Sequence, residues 1–214
     1  MYLGLRYLAA VVVGYLAGAI PTGYIVGRIR GLDVRAYGSG RTGMSNVWRT
    51  MGMGAAVVTV LGDGLKAFLA VLLVRLVFAD PWLEAVTGLA VLAGHNRSAF
   101  IGLEGGAGVI CHLGVMMIIA PEAFLTVTVV AILTIYFTRY TSLASLLASA
   151  LTVVAMTILV FLGRQPVAYL VYSVVAAAFI FYLHRPNIRR LLEGTERRVG
   201  QQGERRHKEP GDEG

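Results

Sequence analysis

Seven apolar segments, of which the third, fourth and fifth are short, follow one another along this chain and constrain it to fold within a membrane. They span residues 3–29, 54–79, 82–93, 109–120, 122–137, 143–162 and 167–183. Hydrophobic residues make up 57% of the 214 residues and charged residues only 14%, whereas about 25% charged residues is usual in a soluble domain. So much apolar surface cannot be buried in one small core, and much of it must face lipid. The sequence predicts an all-α, polytopic integral membrane protein with about seven transmembrane helices.

The distribution of basic residues predicts the orientation of these helices. Five arginines lie in the polar loop at residues 28–53, and a further group of arginines follows residue 184. Cytoplasmic loops of membrane proteins are enriched in arginine and lysine. With seven helices, this rule predicts an external N-terminus, a cytoplasmic C-terminus, and cytoplasmic polar loops at 28–53, 94–108, 138–142 and 184 onward.

Net charge and cysteine content exclude several other functions. The formal charge of +7 is explained by cytoplasmic arginines. The sequence has no stretch in which aromatic and basic residues alternate and no known recognition module, so nothing in it indicates nucleic-acid binding. The single cysteine, Cys111, excludes a disulfide framework or a cysteine cluster for a metal, and we interpret it as a packing residue. Residues 1–199 are predicted to form one membrane-embedded domain. In the polar stretch 200–214, apolar residues do not recur at the spacing of a helix or a strand. The stretch is predicted to be a disordered cytoplasmic tail.

Two charged residues, Asp63 and Lys66, interrupt the second apolar segment. They lie three positions apart, so on a helix they share one face and can form an ion pair. Charged groups within a spanning helix usually face protein or water rather than lipid. The pair therefore marks the interior side of the helix bundle, and a structural role is favoured over a catalytic one.

Two glycine-rich polar loops interrupt the apolar pattern. The first covers residues 38–46 and is followed by Arg49, and the second runs from Gly94-His95 to Gly105-Gly106-Ala107-Gly108. Glycine lets backbone N–H groups surround an anion, and serine, asparagine and arginine side chains donate directed hydrogen bonds. The loops therefore predict a site that holds phosphate within reach of lipid chains.

A third polar motif follows the last apolar segment, at residues 184–196. His184 and Asn187 lie three positions apart on one helix face, and Pro186 can open a new helix there. Together the three segments resemble the motifs of the bacterial acyl-phosphate:glycerol-3-phosphate acyltransferase family (PlsY). These motifs are Gly-Ser-Gly-Asn-x-Gly-Ala-Thr-Asn with a later Arg, Gly-His to Gly-Gly-Lys-Gly, and His-x-x-Asn-Ile-x-Arg-Leu with Gly-x-Glu. The resemblance extends in order over about residues 5 to 200.

The resemblance implies transfer of a fatty acyl group from acyl phosphate to the 1-hydroxyl of glycerol 3-phosphate, at the cytoplasmic face of the bacterial plasma membrane. Lysophosphatidic acid and phosphate would be the products, and no cofactor or metal is implied. By position, the implied catalytic residues are Ser39, Arg49, His184 and Asn187. From the loop chemistry and the resemblance together, the residues predicted to bind substrate and phosphate are Gly38, Gly40, Arg41, Ser45, Asn46, His95, Gly105, Gly106, Gly108 and Ser142. The residues expected to be structural are Asp63, Lys66 and Glu196. His184 is expected to orient or bind substrate rather than act as the general base.

The chain departs from the family pattern in the second loop. Ala107 stands where the family has lysine, so an ammonium group that would face phosphate is missing. Arg41, in place of an asparagine, and Arg97 each add a cation. One hypothesis is charge relocation, in which Arg41 or Arg97 supplies the cation that Ala107 cannot. The alternatives are a divergent paralogue with a different acceptor or no catalysis and, less favoured, a small-molecule transporter, because no inverted repeat is apparent and the polar motifs crowd one face.

Overall fold

Each of the seven apolar segments is helical in the computed structural model, which describes residues 2–201. The ten α-helices of these residues are α1 (Leu3–Ala19), α2 (Thr22–Ile29), α3 (Met44–Met51), α4 (Met53–Phe78), α5 (Pro81–Asn96), α6 (Val109–Ile119), α7 (Pro121–Thr138), α8 (Thr141–Phe161), α9 (Val167–Leu183) and α10 (Arg185–Leu192). Pro21 divides the first segment into α1 and α2, because proline disfavours a helical conformation at the residue before it. The predicted tail at 200–214 lies outside the described residues from 202 onward.

Within residues 2–201, four helical stretches are long and apolar enough to cross a membrane: α1 with α2, α4, α7 and α8. The helices α9 and α10 make a fifth if the 62° bend between them lies within one span. At 1.5 Å per residue, α5 and α6 are only about 24 and 16 Å long, against about 30 Å for the hydrocarbon core of a bilayer. The predicted all-helical membrane class is confirmed, while length and composition alone identify fewer spans than the seven predicted.

Apolar side chains are exposed on the outer helices. On α7, the exposed side chains include Leu125, Val129, Ile132, Leu133 and Tyr136, which recur at the three- and four-residue spacing of one helix face. An apolar surface of this kind would be unfavourable in water. It is suited to contact with lipid.

Close helix packing holds α5 in the interior. Gly14 and Gly18 of α1 lie against the backbone at Thr87 and Val91 of α5, where a Cβ atom would overlap a carbonyl group. Gly94 of α5 packs against the α1 backbone in the same way. Small residues let helix backbones approach closely, which stabilises helix association where lipid weakens the hydrophobic effect. The C-terminal end of α5, where the second glycine-rich loop begins, is thereby fixed.

The polar segments of the chain meet at one end of this helix bundle. The Thr42 N–H donates to the Gly105 carbonyl at 3.3 Å and joins the first glycine-rich loop to the second. The Val199 N–H donates to the Arg139 carbonyl at 2.8 Å and joins the segment after α10 to the turn between α7 and α8. Residues that are far apart in the chain are therefore brought into one polar region.

Candidate active site

A cavity of about 400 Å³ opens where these polar segments meet. Its wall includes the first loop with α3, the second loop with the first turn of α6, the first turn of α8, and the junction of α9 and α10. The predicted site residues in the wall are Gly38, Ser39, Arg41, Ser45, Asn46, Arg49, Asp63, His95, Gly108, Ser142, His184, Asn187 and Glu196. The other predicted residues, Gly40, Gly105, Gly106 and Lys66, are not part of the wall.

Asn46 organises the first loop from within. Its Oδ1 accepts a hydrogen bond of 2.9 Å from the Ser39 N–H, and its Nδ2 lies 2.9–3.0 Å from the carbonyl oxygens of Val34, Tyr37 and Arg41. The side chain is only 2% exposed. These contacts occupy the whole carboxamide, so Asn46 shapes the loop rather than offering a free donor to phosphate as the sequence suggested.

Two half-buried arginine side chains in the wall, Arg41 and Arg49, make no ion pair with residues 2–201. Arg41 Nη2 donates to the Leu183 carbonyl at 2.7 Å, and Arg49 Nη2 donates to the Arg197 carbonyl at 3.3 Å. Burial lowers the pKa of both guanidinium groups, and the charge of Arg190 lowers that of Arg41 further. Arginine nevertheless stays protonated in proteins. Two partly buried cations without a direct counter-charge favour an anion in the cavity.

Glu196 holds two side chains of the third motif. Its Oε1 accepts a hydrogen bond of 2.8 Å from Asn187 Nδ2, and its Oε2 forms an ion pair of 2.7 Å with Arg190 Nε. The Glu196 side chain is buried, although it comes from the segment after α10. Glu196 therefore contributes by orienting Asn187 and Arg190 at the cavity, and all three residues line it.

His184 lies at the junction of α9 and α10 with one ring nitrogen already occupied. Its Nδ1 is 2.8 Å from the Ile180 carbonyl oxygen, and only a protonated nitrogen can donate to a carbonyl. In the neutral ring Nε2 is then a hydrogen-bond acceptor. The contact with α9 thus fixes the orientation of the imidazole and leaves an acceptor for a hydroxyl group.

Ser142 presents a hydroxyl group that has no hydrogen-bond partner among the described residues. It lies in the first turn of α8, lines the cavity, and is 4% exposed. A buried hydroxyl without a partner costs free energy, so most such groups are satisfied in native proteins. This arrangement favours a bound ligand as the partner of Ser142.

The glycines of the second loop allow close packing against His95. A Cβ atom at Gly105 would overlap the carbonyl oxygen of His95, and one at Gly106 would overlap its imidazole ring. The Gly106 N–H also donates to the His95 carbonyl at 3.0 Å. Gly105 and Gly106 therefore support the cavity from outside, whereas Ala107 and Gly108 line it.

The predicted pair of Asp63 and Lys66 is present and buried, with Nζ 2.8 Å from Asp63 Oδ1. The side-chain donor atoms of Asp63, His95 and Cys111 lie within 4.8 Å of one another, a spacing at which they could share a metal ion. Lys66 Nζ is also 3.1 Å from His95 Nδ1. Because the ammonium group contacts two of the three donors, positive charge is already supplied at this position.

Several residues of the wall were not among the predicted site residues. The polar ones are Thr141, Ser145, Arg190 and Arg197, and the apolar ones include Met44, Val109 and Ile110. Thr141 and Ser145 lie in a polar stretch that the sequence does show, whereas the apolar residues carry no chemical signal. Of the two additional cations, Arg97 is not in the wall, and its Nη1 lies 3.4 Å from the Leu103 carbonyl.

Known proteins resemble the chain over nearly its whole length. A sequence model of the family described as glycerol-3-phosphate acyltransferase matches residues 8–194. The glycerol-3-phosphate acyltransferase of Rubrobacter xylanophilus is 41% identical over 190 residues, which cover 89% of this chain and 94% of the relative. That of Geobacter sulfurreducens is 42% identical over 195 residues, which cover 91% and 98%.

Solved structures of PlsY, an integral membrane glycerol 3-phosphate acyltransferase, have the same fold. The glycerol 3-phosphate form aligns with a TM-score of 0.84 and 36% identity over 91% of this chain and 96% of the PlsY chain. The lysophosphatidic acid form aligns with a TM-score of 0.80 and 37% identity over the same fractions.

Proposed function

The chain belongs to the glycerol-3-phosphate acyltransferase family, and we propose that it takes the acyl group from acyl phosphate and transfers it to the 1-hydroxyl of glycerol 3-phosphate. It is an integral membrane acyltransferase of phospholipid synthesis. The products of the proposed reaction are lysophosphatidic acid and inorganic phosphate.

The observation that carries this proposal is the cavity at which three polar motifs meet around Arg41 and Arg49. Both proposed substrates bear phosphate, and two guanidinium groups without ion pairs can neutralise phosphate charge. The apolar residues Met44, Val109 and Ile110 lie in the same wall and suit the acyl chain of the donor. One cavity therefore offers surfaces for both the anionic and the lipid parts of the reactants.

Acyl phosphate is already activated, so positioning and charge neutralisation supply the main catalytic effects. The 1-hydroxyl oxygen attacks the acyl carbonyl carbon, the bond from that carbon to the phosphate oxygen breaks, and phosphate leaves with the hydroxyl proton. The carboxylates in the wall, Asp63 and Glu196, form ion pairs with Lys66 and Arg190. A carboxylate paired with a cation is a weaker base, so we propose that the leaving phosphate takes the proton and that no cofactor or metal takes part.

The roles of the individual residues follow from their contacts. Ser39 and Arg49 bind phosphate, and Asn187, held by Glu196, donates to a substrate oxygen. His184 Nε2 accepts a hydrogen bond from a hydroxyl of glycerol 3-phosphate and orients it for attack. Ser142 donates its unpaired hydroxyl to the same group of substrate oxygens.

We place the cavity at the cytoplasmic face of the bacterial plasma membrane, with the N-terminus outside. The concentration of arginines around the cavity supports this orientation, since cytoplasmic segments collect basic residues. Seven transmembrane helices result if the short helices α5 and α6 cross the membrane within the bundle, enclosed by the longer helices. The donor then enters from the lipid and glycerol 3-phosphate from the cytoplasm.

Arg41 is the cation that replaces the lysine missing at Ala107. Both residues line the cavity, whereas Arg97 does not. A guanidinium group can bind two phosphate oxygens at once, which an ammonium group does less well. This arrangement supports charge relocation and argues against a paralogue without catalysis.

The test is an assay of the purified protein with acyl phosphate and glycerol 3-phosphate, in which lysophosphatidic acid and released phosphate are both measured. We expect equal amounts of the two products. Acyl thioesters, supplied in place of acyl phosphate, are expected to give none. Product from a thioester alone would refute acyl phosphate as the donor, and absence of product with every donor would favour the divergent paralogue.

A further inference from the structure

A buried ammonium group lies beside the cavity and contacts an imidazole that lines it. Lys66 Nζ is 2.8 Å from Asp63 Oδ1, 2.6 Å from the Ile20 carbonyl oxygen, and 3.1 Å from His95 Nδ1. Lys66 and His95 are only 8% and 6% exposed. An ammonium group has three N–H donors and no acceptor. Lys66 therefore donates hydrogen bonds to the Ile20 carbonyl and to His95 Nδ1, and its charge lies beside the Asp63 carboxylate, whose Oδ1 has no hydrogen-bond partner among the described residues.

The contact with Lys66 determines which nitrogen of His95 carries the proton. Lys66 can only donate, so His95 Nδ1 must accept and carries no hydrogen. Burial disfavours a charged ring, and the adjacent ammonium offsets the attraction of Asp63 Oδ1, which lies 3.7 Å from Nδ1. The ring is therefore neutral and its proton is on Nε2. This nitrogen faces Gly106, and the hydrogen bonds of residues 2–201 include none to it. His95, which lines the cavity, therefore has an unused N–H donor at its edge, beside Gly106.

We propose that Lys66 is a positioning residue that holds His95 as the Nε2–H tautomer, so that His95 donates a hydrogen bond to a substrate phosphate oxygen. The inference rests on the proposed function, because the ligand of this donor is a phosphate group of acyl phosphate or glycerol 3-phosphate. Lys66 does not touch the substrate. It acts through His95, whose ring Gly106 accommodates by lacking a Cβ atom.

The double variant Asp63→Asn/Lys66→Met tests this role. Both charges are removed together, because removing one partner of a buried ion pair leaves an uncompensated charge that destabilises the fold. The matched control is Glu84→Gln/Arg75→Met, which removes an ion pair of 2.6 Å between α4 and α5. Arg75 lies nine residues beyond Lys66 on α4, which is about 13 Å along the helix axis.

Nitrogen-15 spectra of histidine-labelled protein in micelles report the tautomer directly, with the His95 signals identified by their loss in His95→Gln. We expect a protonated Nε2 and an unprotonated Nδ1 in the wild type and in the control. Loss of this pattern is expected in Asp63→Asn/Lys66→Met. A proton on Nδ1 of the wild-type ring would overturn the proposal.

Kinetics separate this role from a merely structural one. We expect Asp63→Asn/Lys66→Met to reduce kcat/KM at least tenfold while its unfolding temperature stays close to that of the control. His95→Gln, whose amide can donate near the Nε2 position, is expected to retain more activity than His95→Asn. Adding the double substitution to His95→Gln should then cost little, whereas a full additive loss would overturn the proposal.

The two proposals fail in different ways. If the wild type forms no lysophosphatidic acid from any donor, the proposed function is wrong, while the nitrogen-15 spectra still decide whether Lys66 sets the tautomer. If the wild type is active and Asp63→Asn/Lys66→Met keeps full activity, the proposed function stands and the positioning role of Lys66 is wrong.

Discussion

Arg41 Nη2 donates a hydrogen bond of 2.7 Å to the carbonyl oxygen of Leu183, 142 positions later in the chain. The contact joins the first glycine-rich loop to the end of α9, immediately before His184. It holds the guanidinium group in the cavity wall while leaving it without an ion pair. The cation thus depends on two distant segments for its position and remains free to bind an anion.

Arg41→Ala is expected to reduce kcat/KM for acyl transfer by about 10- to 100-fold. A charge-assisted hydrogen bond contributes about 1.5–3 kcal/mol, which corresponds to one to two orders of magnitude in binding. Ala107→Lys is expected to change activity little, because Arg41 already supplies the charge. The rate of lysophosphatidic acid formation measures both effects.

The matched control is Arg97→Ala, which removes a cation outside the cavity and should leave the rate near that of the wild type. A large gain from Ala107→Lys, together with no loss from Arg41→Ala, would contradict charge relocation.

Glu196→Gln is expected to lower kcat about tenfold with little change in thermal stability. The substitution removes the charge that binds Arg190 and weakens the orientation of Asn187, although an amide oxygen can still accept one hydrogen bond. The comparison is Glu193→Gln, whose ion pair with Arg189 is 2.8 Å long but exposed and is worth only about 0–1 kcal/mol. Equal effects of the two substitutions on kcat would argue against a role of Glu196 in orienting the site.

The helices could be predicted from the sequence because long apolar segments have few alternatives in a membrane. Helix α3 (Met44–Met51) was not predicted, since it carries the polar residues of the first motif. Its apolar side becomes visible only in the fold, where Val47 is buried with Val34, Ala55 and Ala56. The third and fourth apolar segments are short in the sequence and form the short helices α5 and α6, whereas the fifth, also predicted to be short, forms the 18-residue helix α7.

Most of the polar residues that line the cavity could be predicted from the sequence, but the role of each one could not. Motif positions identified Asn46 and Ser142 as polar groups near phosphate. Whether such a group faces a ligand or the protein depends on the path of the backbone, which the sequence pattern does not contain. Asn46 is occupied by loop carbonyls, whereas the Ser142 hydroxyl has no partner among the described residues.

Asn46→Asp is expected to lower both the unfolding temperature and the activity. Aspartate has nearly the same shape but no N–H group, so the carbonyls of Val34, Tyr37 and Arg41 would lose their donor and face a negative charge. Each buried group left without a partner costs about 1–3 kcal/mol.

Thermal unfolding in detergent, followed alongside the acyl-transfer assay, measures the effect. Thr50→Val, which removes one hydroxyl contact to a helix carbonyl of α3, should change both quantities far less, and equal changes would refute the organising role of Asn46.

Ser142→Ala is expected to separate activity from stability. The Ser142 hydroxyl has no protein partner in residues 2–201, so its removal should leave the unfolding temperature unchanged or slightly higher. Activity should fall about tenfold, which corresponds to about 1.4 kcal/mol for one lost hydrogen bond to substrate. Ser149→Ala is the control on the same helix, since the Ser149 hydroxyl already donates to the Ser145 carbonyl and should matter little for the rate. A lower unfolding temperature with an unchanged rate in Ser142→Ala would contradict this prediction. The hydroxyl would then stabilise the fold rather than bind substrate.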